Sequence, residues 1–281
     1  MLREDHTGDP PPTCPMDQTF PSPASPPPAQ RFMLGPRVYA AGIHLGLSTL
    51  IAALAAALVF GLWYPTPFRE ISGGRELFFI VVAIDVVLGP LITFAVFDRR
   101  KPWRELRRDL AVVALLQLGG LLYGLHTVYE ARPVVLALEI DRLRVVRAID
   151  LDGAELAKAP PEWQKLPLWG LQVLATRLPN ADEKFEAVTL GLQGEDLGMR
   201  PQFWRPAAET QAALLHGAKP LNLLQQRYAG RVAELQPYIA ATARQAEHLK
   251  YLPLLARRAD WVAILDADTG ELVGYAPFDG F

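Results

Sequence analysis

LFFIVVAIDVVLGPLITFAVF, residues 77–97, decides the fold, because fifteen of its residues are Leu, Ile, Val or Phe and its one charge is Asp85. As a helix this stretch rises about 32 Å, enough to cross roughly 30 Å of hydrocarbon. Each large apolar residue contributes about -0.3 to -0.6 kcal/mol at the helix centre, against about +2.5 to +3.5 kcal/mol for an Asp. The stretch therefore inserts despite its acid. The carboxylate must then avoid lipid by facing a partner group or by staying protonated.

Two neighbouring runs, residues 38–64 and 110–129, are as apolar and as long. Together they account for a chain that is 51% hydrophobic and only 21% charged, and they predict three transmembrane helices over residues 38–130. The net charge of -2 says little about partners. Its distribution says more: DRRKPWRELRRD, residues 98–109, carries Arg99, Arg100, Lys101, Arg104, Arg107 and Arg108 against three acids, whereas residues 65–76 carry only Arg69 and Arg75 as bases. By the positive-inside rule the basic loop is a cytoplasmic anchor, which places the N-terminus in the cytoplasm and everything after Tyr129 on the other side. A basic run clamped between two spans is not read as a nucleic-acid patch. Arg31 and Arg37 agree with this orientation, and the first span reads as an uncleaved signal anchor because its apolar core exceeds a signal peptide's. Residues 1–32 are proline-rich and poor in large apolar side chains, so they are expected to be a disordered tail, with Met33 as an alternative start. The lone Cys14 excludes an internal disulfide.

Residues 132–281 have the size of one domain. PVVLALEIDRLRVVRAIDL, residues 133–151, reads as one long strand or two short ones, and LQVLATRL, residues 171–178, as another. DEKFEAVTLGL, residues 182–192, reads as a helix starting near an Asn180 cap. Tyr228, Val232, Leu235, Ile239, Thr242, Ala246 and Leu249 recur at spacings of three and four, predicting one long helix with a kink at Pro237. The closing residues alternate on both sides of Asp268-Thr269-Gly270, as a hairpin does. The expected architecture is an integral membrane α-helical part followed by a soluble α+β domain, with a small antiparallel sheet and helices against one of its faces.

A catalytic constellation is not legible. The histidines at 6, 44, 126, 216 and 248 lack metal-ligand spacing, and there is no paired Cys, no nucleophile elbow and no phosphate-binding glycine loop. The acidic cluster Asp266 to Glu271 is too short for a cation loop of the EF-hand kind and is read as a turn. No cofactor or metal is expected. In the spans, Gly42 with Gly46 and Gly120 with Gly124 form small-xxx-small pairs, suited to packing against a neighbouring span or another protein's helix. Counting depth along the helices sets Tyr123 and His126 in the same half of the bilayer as Asp85, and His44 away from it. An Asp85 hydrogen bond to Tyr123 or His126 is the preferred reading, with a basic group on a partner helix, or an ion path, as the alternatives.

YAAGIHLGLSTLIAALAAALVFGLWYPTPF, SGGRELFFIVVAIDVVLGPLITFAVFD and the stretch RRDLAVVALLQLGGLLYGLHTVYEARPVVLALEIDRLRVV resemble the TfpX/TfpZ family of type IV pilin accessory proteins. So does the closing WVAILDADTGELVGYAPFDGF. The resemblance implies a bacterial inner-membrane protein that works beside a pilin and influences pilus assembly, with its C-terminal domain in the periplasm. It brings no active-site residues. Beside the resemblance, three spans with small-residue faces and a domain on the far side suggest a non-enzymatic, chaperone-like mechanism: the spans hold the helix of the major pilin and the domain recognises its periplasmic head, with other pilus assembly proteins and membrane lipid as further expected partners. A pilin-modifying membrane enzyme, such as a glycosyl transferase component, is the alternative.

Overall fold

The computed structural model describes residues 34–256 and 260–281. The expectations for residues 1–32, Met33 and Cys14 concern sequence outside the described residues. Three long apolar helices come first: Leu34–Trp63, Gly74–Val96 and Trp103–Glu130. In each, fewer than a quarter of the residues in the most apolar stretch are buried within the protein, which leaves the remainder to lipid. The first closes in a π-helical turn, Val59–Trp63, and the second changes from α to π over Ile84–Leu88 and back at Gly89.

The rest of the chain builds a domain of one mixed sheet with helices. Its strands are β1 Pro133–Glu139, β2 Arg142–Arg147, β3 Gln172–Ala175, β4 Lys219–Pro220, β5 Leu249–Leu255, β6 Trp261–Asp266 and β7 Leu272–Ala276. The order is β3-β1-β2-β5-β6-β7, with β4 added to β5. Residues 133–151 thus form two short strands joined by a tight turn. The pairs β1–β2, β4–β5, β5–β6 and β6–β7 are antiparallel, but β3 runs parallel to β1, and β5 to β2. The sheet is therefore mixed, where an antiparallel one was expected. The segments that lead into β3 and β5 are long and partly helical, which is the connection a parallel pair needs.

Both faces of the sheet are covered, not one. Every residue of β1 is buried. Its alternation sends Leu136 and Leu138 into one apolar cluster, with Leu143, Leu252, Leu254 and Leu265, while Val135 and Ala137 join another with Val146, Leu174 and Trp204. The expected long helix between residues 228 and 249 is broken. Helix Leu221–Arg227 ends at Tyr228, helix Val232–Ala241 contains Pro237, Ala243 takes a positive φ of 55°, and Leu249 opens β5. Leu221, Leu224, Leu235 and Ile239 nevertheless meet in one cluster over Tyr251, Val262 and Ile264. Of the residues at three-and-four spacing only Val232, Leu235 and Ile239 share a helix, while Ala246 falls in a separate helical turn and Leu249 in β5. The helix expected over 182–192 runs from Lys184 to Leu192 with Glu183 at its N-cap position, and Asn180 closes the turn just before it: its Oδ1 accepts from the Glu183 backbone N–H at 3.0 Å, and the Glu183 carboxylate accepts in return from the Asn180 N–H at 2.9 Å. Arg177 and that N–H bring the Glu183 carboxyl down to about 2.

The membrane part and the domain share a core. Between the first two spans the chain forms a short helix, Phe68–Ile71, and Phe68 and Ile71 are 2% and 1% exposed among Leu136, Leu138, Leu143, Leu252 and Leu254 of the sheet. The Phe68 ring meets Tyr275 edge to face at 5.4 Å, and burial pushes the Tyr275 hydroxyl up to about 12. Tyr64, wholly buried, donates from its hydroxyl to the Val128 carbonyl at 3.0 Å, tying the end of the first span to the end of the third. Phe68→Ala should therefore destabilise the domain by about 3 to 5 kcal/mol. Limited proteolysis of the detergent-solubilised protein checks this: cleavage should appear in the sheet domain as well as in the inter-span loop.

Candidate functional site

The second span carries the unusual backbone. In the π register the carbonyl of residue 85 looks for a donor at residue 90, and residue 90 is a proline without an N–H. No water is at hand in hydrocarbon to replace that donor. The third span supplies one: Gln117 Nε2 donates to the Asp85 backbone oxygen at 3.1 Å. This approach depends on Gly89, since a Cβ there would stand 1.9 Å from Gln117 Nε2. Gln117 carries no motif, and its signal in the sequence was its position, a lone amide in an apolar helix facing a Gly-Pro pair.

Around this bond the three spans enclose a cleft of about 150 Å³. Its polar lining is His44, Ser48, Asp85 and Gln117, set among apolar side chains of all three helices. His44 Nδ1 lies 2.5 Å from the Thr93 hydroxyl, linking the first and second spans, and Thr93 is buried. His44 and Asp85 line the same cleft. The expected hydrogen bond of Asp85 to Tyr123 or His126 is not formed: Tyr123 is 74% exposed and His126 is exposed too. The reason is rotation, not depth. At about 100° per residue, Tyr123 lies about 120° and His126 about 180° around the third helix from Gln117. Both point to lipid while Gln117 faces the cleft. His44, expected to be too distant, lies on the cleft face with Ser48, Ile51 and Ala52.

The glycine pairs divide. Gly124 packs against the second span, where a Cβ would be 2.4 Å from Val81 Cγ1. Gly42, Gly46 and Gly120 have nothing within 4 Å of such a Cβ. Of the basic segment expected as a loop, only Arg99, Arg100 and Lys101 lie between the helices, and Arg104, Arg107 and Arg108 lie on the first turns of helix Trp103–Glu130; the five arginines are exposed, and Lys101 pairs with Asp109 at 2.7 Å. Asp98 binds Arg37 at 3.1 Å, closing the first span onto the second. The Arg100 backbone N–H and then Arg37 hold its carboxyl below the usual carboxylate range. The acidic cluster of the last hairpin is a turn: Asp266 Oδ1 accepts from the N–H groups of Asp268 and Thr269, and Gly270 has a φ of 72°. Among the described residues no group of three or more His, Cys, Asp or Glu is placed to hold a metal ion.

Fold and cleft together define a class: a three-span membrane protein whose inter-span loop is built into a mixed-sheet domain, with a small, mainly apolar cleft inside the bundle that carries a few polar side chains. The family of fimbrial assembly protein FimB matches residues 32–73. The fimbrial assembly protein of serogroup I from Dichelobacter nodosus is 36% identical over 244 residues, spanning 84% of this chain and 93% of that protein. The serogroup E1 protein of the same organism is 34% identical over 243 residues, with the same coverage of each chain. A shorter relative, from serogroups C1 and C2, is 38% identical over 130 residues, 46% of this chain and 98% of its own. The chain belongs to the fimbrial assembly protein family. No solved structure matches it.

Two outcomes follow from the helix contacts. Gly124→Ala should cost about 1 to 3 kcal/mol by overpacking Val81, while Gly120→Ala should stay within about 0.5 kcal/mol of the parent; unfolding in mixed micelles compares the two. Gln117→Leu should cost about 1 to 3 kcal/mol by leaving the Asp85 carbonyl without its donor. The same unfolding measurement, made on Gln117→Leu beside Gln117→Glu, reads it.

Proposed function

We propose that this protein is a non-enzymatic accessory factor of fimbrial biogenesis, of the type IV pilin accessory kind its TfpX/TfpZ resemblance implies. It resides in the bacterial inner membrane with the basic loop in the cytoplasm and the sheet domain in the periplasm. Its task is to hold a pilin before assembly and present it.

The observation that carries this reading is the cleft. A volume of about 150 Å³ holds a benzene-sized group, which suits one side chain of a helix pressed onto the bundle, not a whole helix. The cleft also offers a carboxylate in a medium where a charge is costly. A hydrogen-bond donor or amine on the transmembrane helix of a pilin is the complement of Asp85. Gly42, Gly46 and Gly120, open on the outer faces, allow helices to approach closely. The domain contributes a second contact through helix Lys184–Leu192, whose Phe185, Val188 and Leu192 form an outward apolar face and are 84%, 58% and 87% exposed. Many weak contacts of this sort serve holding and release better than chemistry.

Photocrosslinking in cells that make the pilin tests the proposal. Photoreactive residues at 48, 51 and 118, which line the cleft without being its acid or its amide, should give pilin adducts that Asp85→Leu suppresses, and the mass of mature pilin should be the same with and without this protein. Absence of adducts at all three positions would sink the holding role. A mass difference in pilin would replace it with an enzymatic one.

A further inference from the structure

The turn made by residues 167–170 hangs from the ends of two spans. The Gly170 N–H donates to the Leu62 carbonyl at 3.2 Å, at the end of the first span. Arg132 Nη2 donates to the Pro167 carbonyl at 3.2 Å, and Arg132 is itself buried just past the third span, its guanidinium 3.6 Å from the centre of the Tyr129 ring. Tyr129 meets Trp63 edge to face at 5.0 Å. Trp63 and Tyr129 are aromatic residues at the domain end of two spans, the level at which such side chains mark the boundary between hydrocarbon and headgroups. The turn is fixed at that level from both sides.

Between its two anchors the turn exposes Leu168 and Trp169, at 58% and 65%, beside Leu62, which is 45% exposed on the surface of the first span. Lys165, just upstream, is exposed as well. Exposed Leu and Trp on a turn with no polar role are unfavourable in water. At a headgroup boundary the same residues fit: the Trp ring is apolar with one N–H for the polar layer, and a Lys stem can lie along the acyl region with its ammonium among phosphates.

We infer that Leu168 and Trp169 insert into the lipid boundary as a second membrane attachment of the domain, with the bilayer itself as their partner. The choice of lipid over a protein rests on position, because the pair directly precedes Gly170, which is bonded to Leu62 at the end of the first span, where the Leu62 side chain is itself exposed. The attachment fixes how the sheet domain sits over the bundle, in addition to the buried Phe68–Ile71 helix, and it does not depend on the pilin-holding role.

Site-directed spin labelling of the full chain in nanodiscs of phosphatidylethanolamine and phosphatidylglycerol tests this. In a Cys14→Ser background, nitroxides are placed by Trp169→Cys and, separately, Leu168→Cys. Leu62→Cys serves as the lipid reference and Lys184→Cys as the aqueous one. Collisions with oxygen should exceed those with a neutral nickel chelate several-fold at 168 and 169, as at 62, with the reverse at 184. Chelate-dominated collisions at 168 and 169 would mean the turn stands in water, and protection from both reagents would mean a protein contact. Either result overturns the inference.

Discussion

Phe68 and Ile71 leave the bilayer with the chain, turn once between two spans, and enter the core of a domain whose first strand begins more than sixty residues later. Fully burying two such side chains contributes about 3 to 6 kcal/mol, comparable to the whole margin of an ordinary small domain. The domain core is therefore incomplete without the inter-span loop, and the loop has no reason to fold without the domain. Tyr64 and Arg132 reinforce the same junction by spending their polar groups on the carbonyls of Val128, Tyr129 and Pro167. The consequence is mechanical: the bundle and the sheet form one body, so a contact made in the membrane and one made by the domain are held in register.

A second constraint acts inside the bilayer, where every freed backbone carbonyl needs a donor from the protein. Pro90 and the π segment free one at Asp85, and Gln117 satisfies it across the bundle. That bond, with His44 to Thr93 and Arg37 to Asp98, pins the second span to both others. The pinning leaves a cleft behind it, where the small Ser48, Ala52 and Ala114 line the space between the spans. The acid at 85 thus marks a place where the bundle is deliberately irregular.

The three spans, the basic loop, the helix after Asn180 and the closing hairpin were legible because each is specified by local composition or by a turn of fixed chemistry. Asp85 was legible as a problem for the same reason: a charge among fifteen large apolar residues stands out whatever the fold. Its partners were not. Depth along a helix follows from counting, but the choice among Tyr123, His126 and Gln117 depends on which way the third helix is turned, and a span that is apolar all round carries no amphipathic signal to fix that turn. The same loss of signal explains why Gly124 proved to be a packing contact while Gly120, one turn away, did not.

In the domain, the three-and-four spacing from Tyr228 to Leu249 reads as one helix, although one short helix, a helical turn and a strand start packed on a single sheet produce the same pattern. Long-range pairing decided the rest: β3 beside β1 and β5 beside β2 are parallel neighbours brought together by connections whose course no local rule specifies. The sequence alone determined what crosses the membrane and which end of the bundle is basic, because transfer free energies are sums over residues and need no geometry. The tertiary structure alone decided the rotation of each span, the cleft it leaves, and the entry of Phe68 and Ile71 into a distant core. Those depend on contacts between surfaces, and a contact belongs to two segments at once.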